Sequence, residues 1–271
     1  MPELPEVETV TRGLRPWLLH RRISGAVIRQ RQLRQPVPQQ LSRLRDVPIT
    51  SVERRAKYLL IGTPRGTLIY HLGMTGSLRM IDQGEPAAVH DHVDLLLDDG
   101  RAMRFTDPRR FGLIAWHRGD NAADHSLLAH LGPEPFADEL TAEYLYSMAA
   151  GRRAAVKSFI MDGRIVVGVG NIYASESLHL AGIHPHRPAG RISLQRYSQL
   201  VIAIRQVLQA AINAGGTTLR DFIDSDGQPG YFFRELTVYE REGQACKKCG
   251  GIIRRSVVGQ RSTYYCVGCQ R

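Results

Sequence analysis

The cysteines constrain this chain most, because all four lie between residue 246 and the end. They form two CxxC pairs, Cys246 with Cys249 and Cys266 with Cys269. Two such pairs at this separation are typical of a tetrahedral zinc ion with four thiolate ligands, which leave no position for water. We therefore predict one structural zinc ion, with four unligated thiols as the alternative.

The segment between the cysteine pairs predicts a hairpin. Residues 251–258 and 261–265 are two strand-like runs, and a Gly-Gln pair stands between them. Together with the cysteines they predict a zinc ribbon. The ribbon is rich in cations suited to a DNA backbone, namely Lys247, Lys248, Arg254, Arg255, Arg261 and Arg271.

The net charge favours a polyanionic partner. The 271 residues include 36 Lys and Arg against 26 acids, which gives a net charge of +10 and a pI near 9.8. Such a balance on a globular composition indicates nucleic acid, although a merely soluble basic surface is the alternative. No apolar run approaches the roughly 18 residues of a membrane span. The first 20 residues do not resemble a secretory signal, so we expect a cytoplasmic protein that associates with the nucleoid when on DNA.

The N-terminal half is predicted to be one helix followed by strands. Residues 4–18 place Val7, Val10, Leu14 and Leu18 on one helical face. The predicted strands are 23–28, 49–53, 57–62, 67–72, 77–81, 92–97, 101–106 and 111–117, with tight turns at 63–66 and 98–100. Short strands at regular spacing indicate an antiparallel sandwich or barrel.

The pattern becomes helical after residue 135. Predicted helices cover 138–149, 154–161, 172–181 and 193–214. In the last of these, Ser193 is the cap and Gly215-Gly216 the end, and the apolar stripe is Leu194, Tyr197, Val201, Ile204, Leu208 and Ala211. Residues 217–232 are polar and turn-rich, which predicts a loop.

Two glycine-containing motifs fit nucleic acid but leave alternatives open. GVGNIYASE (168–176) places glycines before a helix N-terminus, which suits either a phosphate site or a plain turn into a helix. TDPRRFG (106–112) offers Arg109, Arg110 and Phe111 in a loop, which suits either a wedge for an extruded base or a surface hairpin with a core Phe. Met74 stands in a similar loop, although Met is more often core filler.

Two further sites are ambiguous by themselves. The stretch HDH (90–92) is predicted to place His90 and His92 on one strand face, where they could bind a metal, face DNA or be structural. Lys57 precedes an apolar strand, where it either solvates the strand end or supplies charge or a proton at an active site.

The first ten residues, MPELPEVETV, raise the question of a nucleophilic N-terminus. If Met1 is removed, Pro2 carries a secondary amine whose ordinary pKa is about 8, and the helix dipole and nearby cations lower it. Such an amine condenses with a sugar carbon to an iminium ion, and Glu3 can move protons beside it. The alternative is that Pro2 simply starts a helix.

Four motifs in order resemble those of the bacterial formamidopyrimidine-DNA glycosylase family. They are PELPEVE (2–8), TDPRRFG, VGVGNIYASE (167–176) and the terminal four-cysteine zinc finger, and the likeness covers essentially the whole chain. The resemblance implies an α+β multidomain fold. Its parts are an N-terminal β-sandwich with a helix (1–130), a helix–two-turn–helix domain (131–234) and a zinc ribbon (235–271).

The resemblance also implies an activity. Enzymes of this family excise oxidised purines such as 8-oxoguanine and formamidopyrimidines from double-stranded DNA and then cut the abasic strand by β,δ-elimination. By position, Pro2 is the Schiff-base nucleophile, Glu3 the general acid, Lys57 the proton donor in β-elimination and Arg261 the δ-elimination residue. No catalytic cofactor is implied, and we expect a monomer.

DNA contacts follow from the same resemblance. His90, Arg109, Arg152, Lys157 and Asn171 fall at DNA-contact positions, and Met74, Arg109 and Phe111 match residues that fill the void left by the flipped base. Residues 217–232 correspond to a loop that closes over that base. Arg152 stands where lysine is frequent, and Gly163 where a longer polar residue is common.

Two other functions remain open at this point. An endonuclease VIII-like glycosylase for oxidised pyrimidines shares the N-terminus and the zinc, although Met74 with Arg109 and Phe111 favours the purine enzyme. A non-catalytic zinc-ribbon DNA-binding protein would not need Pro2 or Glu3.

Overall fold

The computed structural model describes residues 2–119, 121–217 and 232–271. The chain divides into two compact units, Met1–Ala129 with Ala214–Tyr231, and His130–Asn213 with Phe232–Arg271. Met1 lies outside the described residues. So does the predicted loop at 217–232, apart from its two end residues, Thr217 and Phe232. No helix in the described ranges is long and apolar enough to cross a membrane.

The first helix, α1 (Leu4–Leu18), confirms the prediction. Glu3 and Glu6 form a capping box, which satisfies N–H groups of the first turn. Val7, Val10, Leu14 and Leu18 recur every three or four residues, and all are buried because this spacing keeps them on one face.

In the described part of the first unit, nine strands form two antiparallel sheets. The strands are β1 (Arg22–Ile28), β2 (Val47–Pro48), β3 (Ser51–Arg55), β4 (Tyr58–Thr63), β5 (Gly66–His71), β6 (Ser77–Asp82), β7 (Asp91–Leu97), β8 (Arg101–Thr106) and β9 (Leu113–His117). One sheet has the order β2-β1-β7-β8-β6 and the other β3-β4-β5-β9. Side chains of both sheets and of α1 share one apolar core, so the expected β-sandwich is confirmed.

Both predicted hairpin turns are present. Thr63 pairs with Gly66 across the β4–β5 turn, and Gly100 has a φ of +84° between β7 and β8. Most strand limits lie within one residue of the prediction, but two strands begin two residues later than predicted. β3 begins at Ser51 instead of Ile49, and β9 begins at Leu113, because Arg110 has a φ of +54° and the chain is still turning before the strand.

The second unit contains four α-helices and the terminal hairpin. They are α2 (Ala142–Ala149), α3 (Val156–Ile160), α4 (Asn171–Leu180), α5 (Leu194–Asn213), β10 (Ile253–Val258) and β11 (Arg261–Cys266). The predicted start of α2 at 138 was wrong, because the Thr141 hydroxyl accepts the Tyr144 N–H and caps the helix there.

The longest helix, α5, has the predicted apolar stripe with one exception. Tyr197, Val201, Ile204, Leu208 and Ala211 are buried, whereas Leu194 is 41% exposed. Leu194 is the first residue of the helix, where the stripe has not yet met a packing partner. The β10–β11 hairpin pairs Val258 with Arg261, and Gly259 and Gln260 both have positive φ, which is the turn geometry that the Gly-Gln pair predicts.

Candidate active site and metal centre

The N-terminal turn is buried and its backbone is bound by one carboxylate. Pro2 is buried and Glu3 is 2% exposed. The Glu6 carboxylate accepts the Glu3 N–H through Oε2 and the Thr217 N–H through Oε1, each at 2.8 Å. Glu6 thus fixes Glu3 and joins the first turn to a residue 211 positions later. No role was predicted for Glu6 from the sequence, although the E-x-x-E spacing is a signal for a capping box.

Lys57 follows a backbone turn and lies beside a neutral histidine. Ala56 has a φ of +54° between β3 and β4, and Lys57 is half-buried. Burial first, and then the positive charges of Lys57 and Arg34, lower the pKa of His71 to about 4. Because His71 Nδ1 accepts the Gly73 N–H at 3.0 Å, its ring proton is on Nε2. His71 is therefore a hydrogen-bond donor near Lys57, and nothing in its local sequence indicated this.

Two neighbouring loops present the predicted wedge residues. Met74 is 37% exposed in the loop after β5, and Phe111 is 45% exposed in the loop after β8. The guanidinium carbon of Arg109 lies 4.7 Å from the Phe111 ring centroid. A Cβ on Gly73 would stand 2.4 Å from backbone atoms of Gly112 and Phe111, so only glycine permits this approach. The exposure of Met74 and Phe111 argues against core roles for both.

A buried aspartate joins these two loops. Asp107 is fully buried, and its carboxylate accepts the Thr75 hydroxyl through Oδ1 and the Gly112 N–H through Oδ2, each at 2.7 Å. The Thr75 hydroxyl oxygen in turn accepts the Arg109 N–H at 3.3 Å. Asp107 thereby sets the position of both loops. The sequence did not single out Asp107, because its two partners lie in different parts of the chain.

The two histidines of HDH have different environments. His90 is exposed just before β7, whereas His92 is 6% exposed and its Nε2 lies 2.8 Å from the Asp107 carbonyl oxygen. The prediction that they share a strand face was wrong, because β7 begins at Asp91 and His90 lies in the turn before it. His90 remains a candidate for DNA, while His92 supports the Asp107 loop.

Buried charges fix the segment that precedes His90. Arg104 is 1% exposed and donates to both oxygens of Asp94, at 2.8 and 2.9 Å, and to Asp91 at 3.3 Å. It also donates to the carbonyl oxygens of Glu85 and Pro86. Buried charges are tolerated only when their hydrogen bonds are satisfied. Because Arg104 binds Glu85, Pro86 and Asp91 together, the backbone of residues 85–91 has little conformational freedom.

In the second unit, Asn171 is the first residue of α4 and is bound by a buried lysine. Lys157 Nζ donates to Asn171 Oδ1 at 2.7 Å, to Thr263 Oγ1 at 2.8 Å and to the Ser262 carbonyl at 3.1 Å. Lys157 is 0% exposed. This burial argues against the direct DNA contact that the resemblance implies for Lys157 and favours a role in positioning Asn171.

Arg152 and Arg261 are both exposed. Arg152 Nε donates to the Met148 carbonyl at 2.6 Å, and its guanidinium carbon lies 5.5 Å from the Phe159 ring centroid. Arg261 opens β11 directly after the Gly259-Gln260 turn. Each guanidinium is therefore accessible to a polyanion within its own unit.

The four cysteines form the metal site. Their sulfur atoms all lie within 4.8 Å of one another, with Cys246–Cys269 at 3.8 Å and Cys249–Cys266 at 3.4 Å. A zinc–sulfur bond of about 2.3 Å places tetrahedral sulfurs about 3.8 Å apart, so the cluster fits zinc. Cβ atoms on Gly251 and Gly268 would stand 3.4 and 3.2 Å from the Cys249 sulfur. The backbone beside both CxxC pairs therefore passes close to this sulfur.

Three family models match successive parts of the chain. They are the formamidopyrimidine-DNA glycosylase N-terminal domain at residues 1–114, the H2TH domain of the same enzymes at 131–223, and the zinc finger found in FPG and IleRS at 243–271.

Curated relatives match from end to end. A formamidopyrimidine-DNA glycosylase of Syntrophotalea carbinolica is 59% identical over 100% of both chains. Proteins of the same name from Xanthomonas axonopodis and Alcanivorax borkumensis are each 56% identical, again over 100% of both chains.

Solved structures agree with the sequence relatives. The MutM (Fpg) protein of Thermus thermophilus is 37% identical with a TM-score of 0.88, and the match covers 99% of this chain and 98% of that one. Lactococcus lactis Fpg in complex with DNA containing an abasic site is 30% identical with a TM-score of 0.91 and 99% coverage of each chain. The wild-type Lactococcus lactis protein with N7-benzyl-Fapy-dG DNA is also 30% identical with a TM-score of 0.91, over 100% of both. With this identity over its full length, the chain belongs to the formamidopyrimidine-DNA glycosylase family.

Proposed function

We propose that this protein is a bifunctional DNA glycosylase and abasic-site lyase that removes oxidised purines from double-stranded DNA. Full-length family membership combined with the buried Pro2-Glu3 turn carries the proposal. A non-catalytic DNA-binding protein would have no need of Pro2 and Glu3 at this buried turn. The purine specificity draws on the Lactococcus lactis relative, whose complex contains N7-benzyl-Fapy-dG.

The chemistry begins at Pro2 once Met1 is removed. The secondary amine attacks C1′ of the extruded nucleotide, the N–C1′ bond forms, and the glycosidic bond breaks so that the base leaves with a proton. The sugar ring opens to an iminium ion, which is an electron sink. Glu3 supplies and accepts protons in these steps, since it adjoins Pro2 and its backbone is fixed by Glu6.

Two eliminations then cut the strand. Loss of a C2′ proton from the iminium expels the 3′ phosphate, and a second proton loss expels the 5′ phosphate. We assign proton transfer in β-elimination to Lys57 and δ-elimination to Arg261. Hydrolysis of the remaining iminium frees the Pro2 amine, so no redox or metal step is required in this sequence.

DNA is bound by cations and by one helix N-terminus. His90, Arg109, Arg152 and Asn171 are the proposed DNA contacts, and neutral His71 adds a donor beside Lys57. Gly168 has a φ of +82°, and Gly170 is extended just before α4. The N-terminus of a helix carries the positive end of its dipole, which suits a DNA phosphate. Lys157 acts through Asn171.

Base extrusion is the task of the two loops that Asp107 joins. Unstacking a nucleotide costs a few kcal/mol. Met74 and Phe111 are exposed apolar side chains that can fill the vacated space, and Arg109 next to Phe111 can face the orphan base. This arrangement suits an oxidised purine paired with cytosine, in which the purine is extruded and the cytosine is the orphan base that Arg109 faces.

We further propose three functional domains, 1–130, 131–234 and 235–271. One family model matches within each of these ranges, which supports the division. The four-cysteine ribbon is structural, because four sulfurs close the coordination sphere of zinc. The site of action is the cytoplasm, with the protein on the nucleoid when it binds DNA.

Borohydride trapping tests the proposal. Purified protein, shown by mass spectrometry to lack Met1 and to contain zinc, is mixed with an 8-oxoguanine:cytosine duplex and, in parallel, with a thymine-glycol duplex. We expect a covalent adduct on the first duplex that maps to Pro2, and a much weaker one with Pro2→Gly, which has a primary amine in place of the secondary amine. Glu3→Gln should trap a pre-formed abasic site but not excise the base.

Two other trapping results would indicate one of the two alternative functions. Trapping mainly on thymine glycol would indicate the pyrimidine-specific relative. An absence of adducts on both duplexes, together with tight DNA binding, would leave a non-catalytic binding protein.

A further inference from the structure

Three arginines of the second unit surround one open cavity. The cavity has a volume of about 460 Å³ and is lined by Gly151, Arg152, Arg153, Pro188, Gly190 and Arg191. All three arginines are exposed. Only Arg152 was singled out from the sequence, because Arg191 belongs to a different part of the chain and the fold alone brings it to Arg152 and Arg153.

The backbone that carries these arginines is held by pairing between two chain segments. Residues 152–156 and 187–190 run antiparallel, with a bridge between Ala155 and Pro188. Three backbone hydrogen bonds join them, namely Gly190 N–H to the Arg152 carbonyl at 3.0 Å, Ala189 N–H to the Ala154 carbonyl at 2.9 Å and Val156 N–H to the Arg187 carbonyl at 2.8 Å.

The close approach of the two segments depends on Gly190. A Cβ at this position would stand 3.0 Å from the carbonyl oxygens of both Ala149 and Arg152. The two segments are therefore paired before any ligand binds, and a ligand has to order only the arginine side chains. This arrangement lowers the entropic cost of binding.

The positive charge around the cavity is not neutralised by salt bridges within the described part of the chain. Arg152 Nε donates to the Met148 carbonyl oxygen at 2.6 Å. The side chains of Arg153 and Arg191 have no acceptor among the described residues. The exposed Arg164 of the same unit differs from them, because its guanidinium pairs with Asp162 at 2.8 Å. Three like charges around one concavity make its potential positive, which attracts an anion.

We propose that the cavity binds a backbone phosphate of DNA, and that Arg153 and Arg191 hold this phosphate beside the one assigned to Arg152. A guanidinium presents parallel N–H donors that match two phosphate oxygens. Such contacts carry no sequence information, so they should act equally on damaged and undamaged DNA. The inference rests on the DNA binding in the proposed function, but not on its catalytic steps.

The openness of the cavity favours a phosphate in a polymer over a free phosphate ion. The lining residues other than Pro188 are exposed, so water competes for a small ion at every donor. A duplex that is already bound elsewhere on the protein presents its phosphate at a high effective concentration. The same donors can therefore contribute to DNA binding while they bind inorganic phosphate weakly.

The salt dependence of binding tests the proposal on the full-length, zinc-loaded protein. Fluorescence anisotropy gives the affinity for an undamaged duplex and for an 8-oxoguanine:cytosine duplex over a range of KCl concentrations. Each neutralised phosphate contributes about 0.9 to the slope of log affinity against log salt. We expect the double variant Arg153→Gln with Arg191→Gln to lower this slope by about 1 on both duplexes, and each single variant to lower it by less.

Two matched variants separate a phosphate contact from a general effect of charge. Arg164→Gln removes an exposed arginine that is already paired with Asp162, and should leave the slope at the wild-type value. The double variant Arg153→Lys with Arg191→Lys keeps both charges and should restore most of the slope. A wild-type slope in the double glutamine variant, or an equal decrease in Arg164→Gln, would overturn the proposal.

Inorganic phosphate distinguishes the two sources of the anion. Phosphate alone is titrated into wild type and into the double glutamine variant in a calorimeter. Weak heats that are the same for both proteins, together with the lowered slope, would support a DNA site. Saturable binding that only the wild type shows, together with an unchanged slope, would assign the cavity to a free anion and overturn the proposal. If the wild type bound neither duplex, the proposed function would fail as well, whereas a wild-type slope in the variants refutes this inference alone.

Discussion

Thr75 and Asp107 belong to different loops, and the Thr75 hydroxyl donates to the buried Asp107 carboxylate at 2.7 Å. Through this bond, the loop of Met74 and the loop of Arg109 and Phe111 have a common anchor. The anchor is a single carboxylate with two acceptor oxygens, each in use. The position of the wedge therefore depends on a residue that need not touch DNA.

Asp107→Asn should impair base excision selectively. The amide cannot accept both the Thr75 hydroxyl and the Gly112 N–H, so the wedge loops lose their alignment. Because small misplacements cost up to about a hundredfold, we expect single-turnover excision of 8-oxoguanine to fall ten- to a hundredfold. Cleavage of a pre-formed abasic site, which needs less extrusion, should fall much less. Thr75→Val should show a milder form, and equal losses on both substrates would contradict the idea.

Lys157→Met should destabilise the protein without changing the salt dependence of DNA binding. The substitution leaves Asn171 Oδ1 and Thr263 Oγ1 without their buried donor, at a cost of about 1–3 kcal/mol. Urea unfolding measures this loss. The slope of log affinity against log salt should stay at the wild-type value, whereas Arg152→Met should reduce it by about 1. A reduced slope in Lys157→Met would show a direct phosphate contact instead.

Arg104→Met should be strongly destabilising. The change removes the buried cation that the Asp94 and Asp91 carboxylates share, and leaves them only the more exposed Arg29 at 2.7 Å and Arg79 at 3.9 Å. Breaking a buried pair typically costs about 3–5 kcal/mol. Arg79→Met is the matched control, since Arg79 pairs with Glu85 at 3.0 Å in the same cluster but has a side chain 35% exposed. It should cost less than about 1 kcal/mol. Similar unfolding free energies for the two variants would refute the distinction.

His71 should make the folded state sensitive to mild acid. Burial and then Lys57 and Arg34 lower its pKa to about 4 from an ordinary value of 6.5. A histidine with a lowered folded-state pKa contributes stability that is fully present above pH 6.5 and lost as the pH falls to about 4. The loss should be on the order of 2–3 kcal/mol. Unfolding free energies of wild type and His71→Phe, measured from pH 7 to 4, should differ by a pH-dependent amount, and parallel curves would exclude the effect.

Removal of zinc should unfold the ribbon. The hairpin core holds Val238 and Ile253 together with Cys246 and Cys266, which is too little apolar surface for independent stability. With a chelator, amide hydrogens of β10 and β11 should exchange rapidly, DNA binding should weaken, and zinc should restore both. Persistent protection of the hairpin in metal-free protein would contradict this expectation.

Much of the architecture follows from local patterns. The apolar spacing and the capping box determine α1, the two predicted turns determine the β4–β5 and β7–β8 hairpins, and the CxxC pairs determine the zinc site. These features depend on residues a few positions apart, or on side chains whose chemistry allows one arrangement. The motifs also identified Pro2 and the wedge residues as candidates, and their roles stay proposals.

The residues that organise the site could not be predicted in this way. Glu6 binds the N–H of Thr217, Asp107 binds Thr75, and His179 contacts Cys246. Each pair is far apart in sequence, and no local period or spacing relates its members. Burial decides such contacts, because a carboxylate or imidazole removed from water must find partners wherever the fold brings them. The sequence by itself thus determined the elements, the zinc ligands and the family, whereas the tertiary structure decided which polar side chains hold the candidate site in place.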